Sequence, residues 1–435
     1  MTRTCPMPQS GNKDTRKYPD LDGVFPSELL NVGGIIGDLT RLFVDTAISP
    51  QPELALGAAL CLVGVLAGRR YSGPLNTRTN IYAIGLADSG GGKDHARKSI
   101  KKLLYAAGLK DYLGGGRIAS GSGLLTAMDR HPCKLFLLDE MGKFIKSVTA
   151  PKVGTHREEI WTFITELYTS SDSVFLGSEY ADQNAKPRGD IEQPCLCIWG
   201  VTVPGAFWNA LGSGDKEDGS LARFLIFKAT DDYPDRNKQA GHIEVTESLI
   251  AALQSIVAGV NAADLPPLPG VQPDVYTVST EPEAKALLER ITDEQTTWLR
   301  SKRGTNDTAI VARFGENVNK VSLIRAISDC PASPVITREN VAWAERLVKH
   351  CLSAMLREAE YNLADNENEA NQNKVLKVIR ETGEATAAKI GQSVRCMKAP
   401  DRAKMLVDMV DIGILVSEKR DTGGKTLATV YRLAG

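Results

Sequence analysis

The sequence predicts an α/β fold: a three-layer core on a mainly parallel sheet, with a helical segment before it and helices and a small terminal module after it. Three observations predict this. From Asn80 onward, short apolar runs alternate with helical patterns across short joints, as parallel strands covered on both faces do. The first run, Ile81 to Gly85, passes through a glycine-rich turn into a helix. A later run, Leu135 to Leu138, ends in two adjacent acids, Asp139 and Glu140.

Composition bounds the rest. The chain has 435 residues, 42% hydrophobic and 24% charged, which excludes wholesale disorder and a small disulfide scaffold. With 52 Lys and Arg against 53 Asp and Glu, there is no globally basic coat, so any nucleic-acid contact must come from local patches. The most apolar stretch, Leu54 to Ala67, is too short for a bilayer and ends in Arg69-Arg70, so no membrane association is expected. None of the eight cysteines forms a CxxC pair, and the five histidines are dispersed. Buried reduced thiols in a cytosolic protein are the plain reading, and no zinc site is expected.

Five stretches follow in order. Residues 1–24 are polar and read as a flexible tail, and 25–75 as an N-terminal helical segment. In the latter, Ile35, Ile36, Leu39, Leu42 and Phe43 recur at helical spacing, Pro50 and Pro52 break the chain, and a second helix spans Leu54 to Leu66. Residues 76–235 form the α/β core: the strand at 81–85, a helix from Asp94 to Ala107 with Gly108 as its cap, a short strand at Ile118-Ala119, a helix capped by Ser120, the acid-tipped strand, a helix from Arg157 to Tyr168, and strands at Cys195–Thr202 and Arg223–Lys228. Cys195 and Cys197 should share one strand face. Residues 236–362 hold a Pro-rich linker at 261–273 and a helical lid, with stripes Phe314, Val318, Val321, Ile324 and Val341, Ala344, Val348, Cys351, the second started by Thr337. After a polar joint at 365–373, the end of 363–435 reads as three helices and a hairpin, a winged helix-turn-helix pattern.

The turn after the first strand reads Ala87-Asp88-Ser89-Gly90-Gly91-Gly92-Lys93-Asp94. It approaches the phosphate-loop pattern GxxxxGK[ST] between strand and helix. Its glycines let successive amides turn toward one anion, and the helix adds its positive end. Ser89, Gly90, Gly91, Gly92, Lys93 and Asp94 are therefore the candidate nucleotide contacts, with Lys93 neutralising the β- and γ-phosphates. Asp94 replaces the usual hydroxyl, so it is either a direct Mg²⁺ ligand or a mark of weaker nucleotide binding. Asp139, 46 positions beyond Lys93, is a candidate Mg²⁺ ligand through water, and Glu140 a candidate general base for water. Together the motifs imply ATP and Mg²⁺ as cofactors.

Thr202 ends its strand and would sense the γ-phosphate or cap the next helix. Arg223 opens the last core strand and is either an arginine finger toward a neighbouring subunit or a surface side chain. The order of phosphate-loop strand, short strand, acid strand, sensor strand, arginine, last strand and helical lid is the layout of the AAA+ class of P-loop NTPases, with RecA-like sheets as the runner-up.

Several segments also resemble a P-loop family of helicase-like proteins found in phages, satellites, plasmids and genomic islands. The resemblance rests on Pro50 to Leu56, Ala67 to Tyr71, Arg78 to Tyr82, Ser89 to Lys93, Leu138-Asp139-Glu140, Val201 to Pro204 and Ser220 to Phe224, and spans about residues 28 to 355. Around Arg313, and in the tail, the sequence is more loosely similar to minichromosome-maintenance-type helicases. Proteins of the family often carry a primase domain; none is expected ahead of this core. The resemblance implies an ATP-driven DNA helicase that works as a homo-hexameric ring in a bacterial host's cytoplasm, replicating a mobile element beside partners such as a primase or origin binder. Arg223 would be the finger acting in trans. Arg313 would be a second sensor on the same nucleotide, or simply a helix-surface arginine.

DNA would meet two regions. Residues 173–189 read as an apolar arm, a basic tip with Lys186 and Arg188, and a return arm. Helicases of the similar class thrust such a hairpin into the pore, where these cations would grip single-stranded phosphates; a solvated loop is the alternative. The stretch 371–435 holds 12 Lys or Arg against 7 Asp or Glu. There Arg402, Lys404, Lys419, Arg420 and Lys425 would contact duplex DNA, unless the module docks a protein. Two rival functions stay open: a DNA-binding ATPase (loader or regulator) that does not unwind, and a binding module with a degenerate nucleotide site.

Overall fold

A computed structural model describes residues 24–149, 155–179, 189–211, 221–241, 245–260, 274–303, 307–362, 367–394, 397–421 and 427–434. The expected tail lies outside these except for Val24, as do the linker at 261–273 and residues Lys186, Arg188 and Lys425.

Four parallel strands form the central sheet: β1 (Tyr82–Leu86), β2 (Cys133–Leu138), β3 (Cys195–Thr202) and β4 (Phe224–Lys228), in the spatial order β2-β3-β1-β4. The acid-tipped β2 is thus separated from β1 by β3. Every residue of β1, β2 and β3 is buried, which explains why these strands read as apolar runs, interrupted inside β2 by Lys134, instead of alternating ones. The expected strand at Ile118-Ala119 is not there. The chain touches the outer edge of β2 earlier, through a single parallel bridge between Leu113 and Leu135. The three glycines at 114–116 and Arg117 follow at once, so too few strand-forming residues are available to extend the pairing.

Helices α1 (Gly34–Asp45) and α2 (Pro52–Leu66) precede the sheet. Pro52 stands in the first turn of α2, where its missing N–H costs nothing. That helix lies across all four strands on one face. It approaches closely because small residues recur on the contact side. A Cβ on Gly57 would come within 2.8 Å of Phe227 and Trp199, one on Gly64 2.7 Å from the Thr79 carbonyl, and, just past the helix end, one on Gly68 2.5 Å from Cys195 Sγ. Cys61 sits between them and donates weakly to the Ile198 carbonyl. Cys195 and Cys197 both face this helix side, within 4.0 Å of the Gly64 and Thr79 carbonyls, so they do share one strand face.

The Thr155–Thr169 helix covers the other face. Its Tyr168 and Trp161 pack on Tyr82 and Phe224, with ring centroids 5.0 and 5.9 Å apart, and the Tyr82 hydroxyl donates to the Ile164 carbonyl. One apolar core runs from Phe25 to Leu356 and takes in both long later helices, Phe314–Asp329 and Arg338–Asn362. Thr337 starts the second of these as expected, its hydroxyl accepting from the Asn340 amide. A second, separate cluster spans Val375 to Leu433. There three helices (Glu367–Thr382, Ala387–Ser393, Ala399–Asp411) pack with a three-stranded antiparallel sheet. One strand of that sheet, Glu384–Thr386, was not expected. The polar joint at 365–373 is also shorter than its composition suggests, since the first of these helices already begins at Glu367. Among the described residues no helix is long and apolar enough to cross a membrane.

Candidate nucleotide site

The phosphate loop leaves β1 at the carboxyl edge of the sheet and enters helix α3 (His95–Ala106). Gly90 and Gly92 take φ of +87° and +77°, conformations that L side chains avoid. Gly92 is doubly constrained, because a Cβ there would sit 2.3 Å from the Ser49 carbonyl. Two contacts hold the loop from outside and one closes it from within. The Ala87 amide donates to the Thr202 carbonyl, the Asp88 amide to Asp232 Oδ1 at 2.7 Å, and the Gly91 amide to the Asp88 carbonyl. Among the described residues the amides of Ser89, Gly90, Gly92, Lys93 and Asp94 make no hydrogen bond, which leaves a run of donors at a helix N-terminus, the arrangement that binds anions. Lys93 folds back and donates to the Asp88 carbonyl at 3.2 Å. A hollow of about 270 Å³ lies beside the loop, lined by Ile48, Gly90, Lys93, Asp94, His95 and Lys98. Burial and the nearby Lys98 charge hold the His95 imidazole below its ordinary pKa.

The acids lie on the same sheet edge. Asp139 follows β2 directly, and Glu140 stands in the left-handed region at φ +51°, which costs a residue other than glycine roughly 1 kcal/mol or more. Both side chains are about half exposed. They open into a cleft of about 530 Å³ whose cations are Arg117, Lys143 and Arg157. Lys143 pairs with Glu140 at 2.7 Å. The two halves of the site are joined by a residue that the motif reading missed. Arg97 Nη2 lies 2.9 Å from Asp94 Oδ1 and 2.8 Å from Asp139 Oδ2. Its position one turn past Lys93 on α3 could have drawn attention to it.

Thr202 is buried at the end of β3, paired with Leu86, so it lies between the phosphate-loop strand and the acid strand. Arg223 and Arg313 lie elsewhere. Arg223 ends a short 3-10 turn just before β4, whose first residue pairs with Tyr82 at the start of β1. It therefore sits at the amino edge of the sheet, roughly 16 Å of strand away from the phosphate loop. Arg313 is there too: burial and the neighbouring Arg313 charge both push the Arg223 guanidinium down. Arg313 pairs with Glu316 at 2.6 Å. Both arginines surround Tyr168, with Arg223 5.9 Å from its ring centroid. The buried Lys320 ammonium is 4.3 Å from the same ring, and burial lowers its pKa.

The basic arms and module are partly visible. Val174–Phe175 pairs antiparallel with Ile191–Glu192, and Gly177 packs on Gly189, so the base of the expected hairpin exists while Lys186 and Arg188 lie outside the described residues. In the terminal module Lys404 and Lys419 are exposed. Arg420 is engaged by Glu384 at 2.9 Å and Glu418 at 3.1 Å. Arg402 donates to the Met397 carbonyl. Among the described residues no group of three His, Cys, Asp or Glu is arranged to hold a metal.

No known protein-family profile matches the chain, and no curated protein matches it. Among solved structures it is similar to a full-length MCM homolog from Methanopyrus kandleri at 13% identity and TM-score 0.37, covering 78% of this chain and 63% of that one. It is also similar to an active helicase, Cch of SCCmec type IV (10% identity, TM-score 0.35, 97% of this chain and 74% of that one). A third is the Aeropyrum pernix ORC2 protein in ADPNP–ADP complexes (12% identity, TM-score 0.28, 91% and 93%). The chain thus spans 63% of the length of the first of these. Its own structure has a parallel sheet with a glycine-rich strand-to-helix loop and an acid pair on one edge.

Proposed function

We propose that the chain is an ATP-driven DNA helicase that works as a ring of six copies in the replication of a phage-like or mobile element. One observation carries the reading. A loop of unpaired amides and two solvent-open acids share one sheet edge, bridged by Arg97, while Arg223 and Arg313 gather at the opposite edge, away from their own chain's phosphate loop.

In this reading the free amides of the loop hold the triphosphate, and Lys93 exchanges the Asp88 carbonyl for the β- and γ-phosphate oxygens. Asp94 and Asp139 offer two carboxylates to a divalent cation, a donor set that suits Mg²⁺. Bound Mg²⁺ would supply charge neutralisation on the phosphates. Glu140 orients a water and accepts its proton as the γ-phosphoryl group leaves ADP. Thr202, at the end of the strand between the phosphate-loop strand and the acid strand, would sense that phosphate. Arg223 and Arg313 stabilise the developing charge from the adjacent subunit. The hairpin with Lys186 and Arg188 would follow single-stranded phosphates without reading sequence. The terminal module, read as a winged helix, would engage duplex DNA or a partner such as a primase or origin binder through Arg402, Lys404, Lys419, Arg420 and Lys425. Arg420's two carboxylate partners make it the weakest member of that set.

A forked-duplex strand-displacement assay tests the reading, with Lys93→Ala as control. ATP-dependent unwinding that this variant abolishes supports a helicase. DNA-stimulated ATP hydrolysis without displacement supports a loader or regulator instead, and neither activity leaves only a nucleotide-binding module.

A further inference from the structure

We propose that Arg97 is a built-in cation that closes the divalent-metal position until Mg²⁺ displaces it. This deepens the reading above and rests on it. The geometry is specific. One guanidinium nitrogen, Nη2, is shared by Asp94 and Asp139, residues 45 positions apart on different elements, at 2.9 and 2.8 Å. The acids are the two that would bind the metal, and each is nearly half exposed, whereas the Arg97 side chain is only 15% exposed. The cation is therefore held from below, and the carboxylates remain open to solvent above it.

Arginine suits such a role because it stays charged at every relevant pH and its Nη2 carries two N–H groups, so one nitrogen can serve two carboxylates at once. It is also poorly satisfied here: its Nε is buried with no hydrogen-bond partner, so moving the head group sacrifices little beyond the two acid contacts. An aspartate at position 94 makes the device workable. A threonine there could bind Mg²⁺ but could not hold a guanidinium as an ion pair. The unusual Asp94 and the Arg97 bridge thus have one explanation. Metal entry requires release of Arg97, which ties cation binding to a rearrangement at the start of α3.

The test is Mn²⁺ binding to the full chain without nucleotide, followed by electron paramagnetic resonance, for wild type, Arg97→Gln and Lys101→Ala. Lys101 lies one turn further along α3 and is exposed, so its variant removes the same charge without touching the acids. Arg97→Gln should bind Mn²⁺ about tenfold more tightly than wild type, the loss of one charge-assisted contact, while Lys101→Ala stays near wild type. Equal or weaker Mn²⁺ binding by a folded Arg97→Gln overturns the proposal, as does an equal gain in both variants. If Arg97→Gln does not fold, Arg97→Lys serves, since one ammonium on a shorter reach should gain a smaller but measurable factor; no gain there overturns it as well. A wild type that binds Mn²⁺ as expected yet no ATP would defeat the nucleotide reading and not this one.

Discussion

Glu140 is the residue at which geometry and chemistry meet most closely. It is held in a left-handed backbone conformation beside Asp139, half exposed, in a cleft bordered by Arg117 and Arg157. Glu140→Gln should leave ATP affinity within about threefold of wild type and lower ATP turnover by roughly 10²–10⁴-fold, the usual contribution of a positioned general base; steady-state phosphate release against nucleotide titration separates the two quantities. His350 offers a test outside the site. It is buried against Phe25, with ring centroids 4.8 Å apart, and burial together with the Arg357 charge lowers its pKa to about 4. The folded state therefore binds fewer protons than the unfolded state between pH 6.5 and 4. Its contribution is full above pH 6.5 and is lost as pH falls toward 4, at most about 3 kcal/mol in all. His350→Phe should flatten that part of the stability curve in urea titrations at pH 4.5 and 7.

At the scale of elements, α2 is the piece on which the sheet is laid. Its contact side is kept small by Gly57, Cys61 and Gly64, and both Trp199 and Phe227 fill the space at Gly57. Gly57→Val should cost about 1–3 kcal/mol, as overpacking does, lowering the urea midpoint with little change in slope. That helix was legible in the sequence as an apolar run, but which way it faced was not, because it is buried all round and shows almost no amphipathic stripe. The four sheet strands are buried too, yet they were legible because they are short apolar runs with sharp polar ends. The Ile118-Ala119 strand failed because one β-former beside an alanine, between a glycine run and a helix cap, carries no information about pairing. That the glycine loop and the pair Asp139-Glu140 follow two buried strands could be read from residue type and spacing alone. Arg97 could not, since an arginine on an amphipathic helix looks like any solvated charge until the fold carries Asp139 to it. The pairing of Arg223 with Arg313 across 90 residues of chain likewise exists only in three dimensions.

For the whole molecule, the separation of the two arginines from their own phosphate loop has a consequence for assembly. If each site is completed by a neighbour, Arg223→Ala chains should bind ATP but barely hydrolyse it. Mixing them with Lys93→Ala chains should restore part of the activity, because some interfaces then join an intact loop to an intact arginine. A mixture as inactive as its components would mean that Arg223 serves its own chain's structure through Tyr168 and not a neighbouring site. The second apolar cluster, Val375 to Leu433, is built separately from the large core, which suits the proposed role of a module that engages DNA or a partner.

All of these roles presuppose a nucleotide at the carboxyl edge of the sheet. Calorimetric titration of the full chain with a non-hydrolysable ATP analogue and Mg²⁺ measures that directly. Saturable binding near one nucleotide per chain, weakened by at least roughly a hundredfold in Lys93→Ala through loss of its charge-assisted phosphate contacts, is the predicted result. No binding by the wild type, or binding that Lys93→Ala leaves intact, would contradict it.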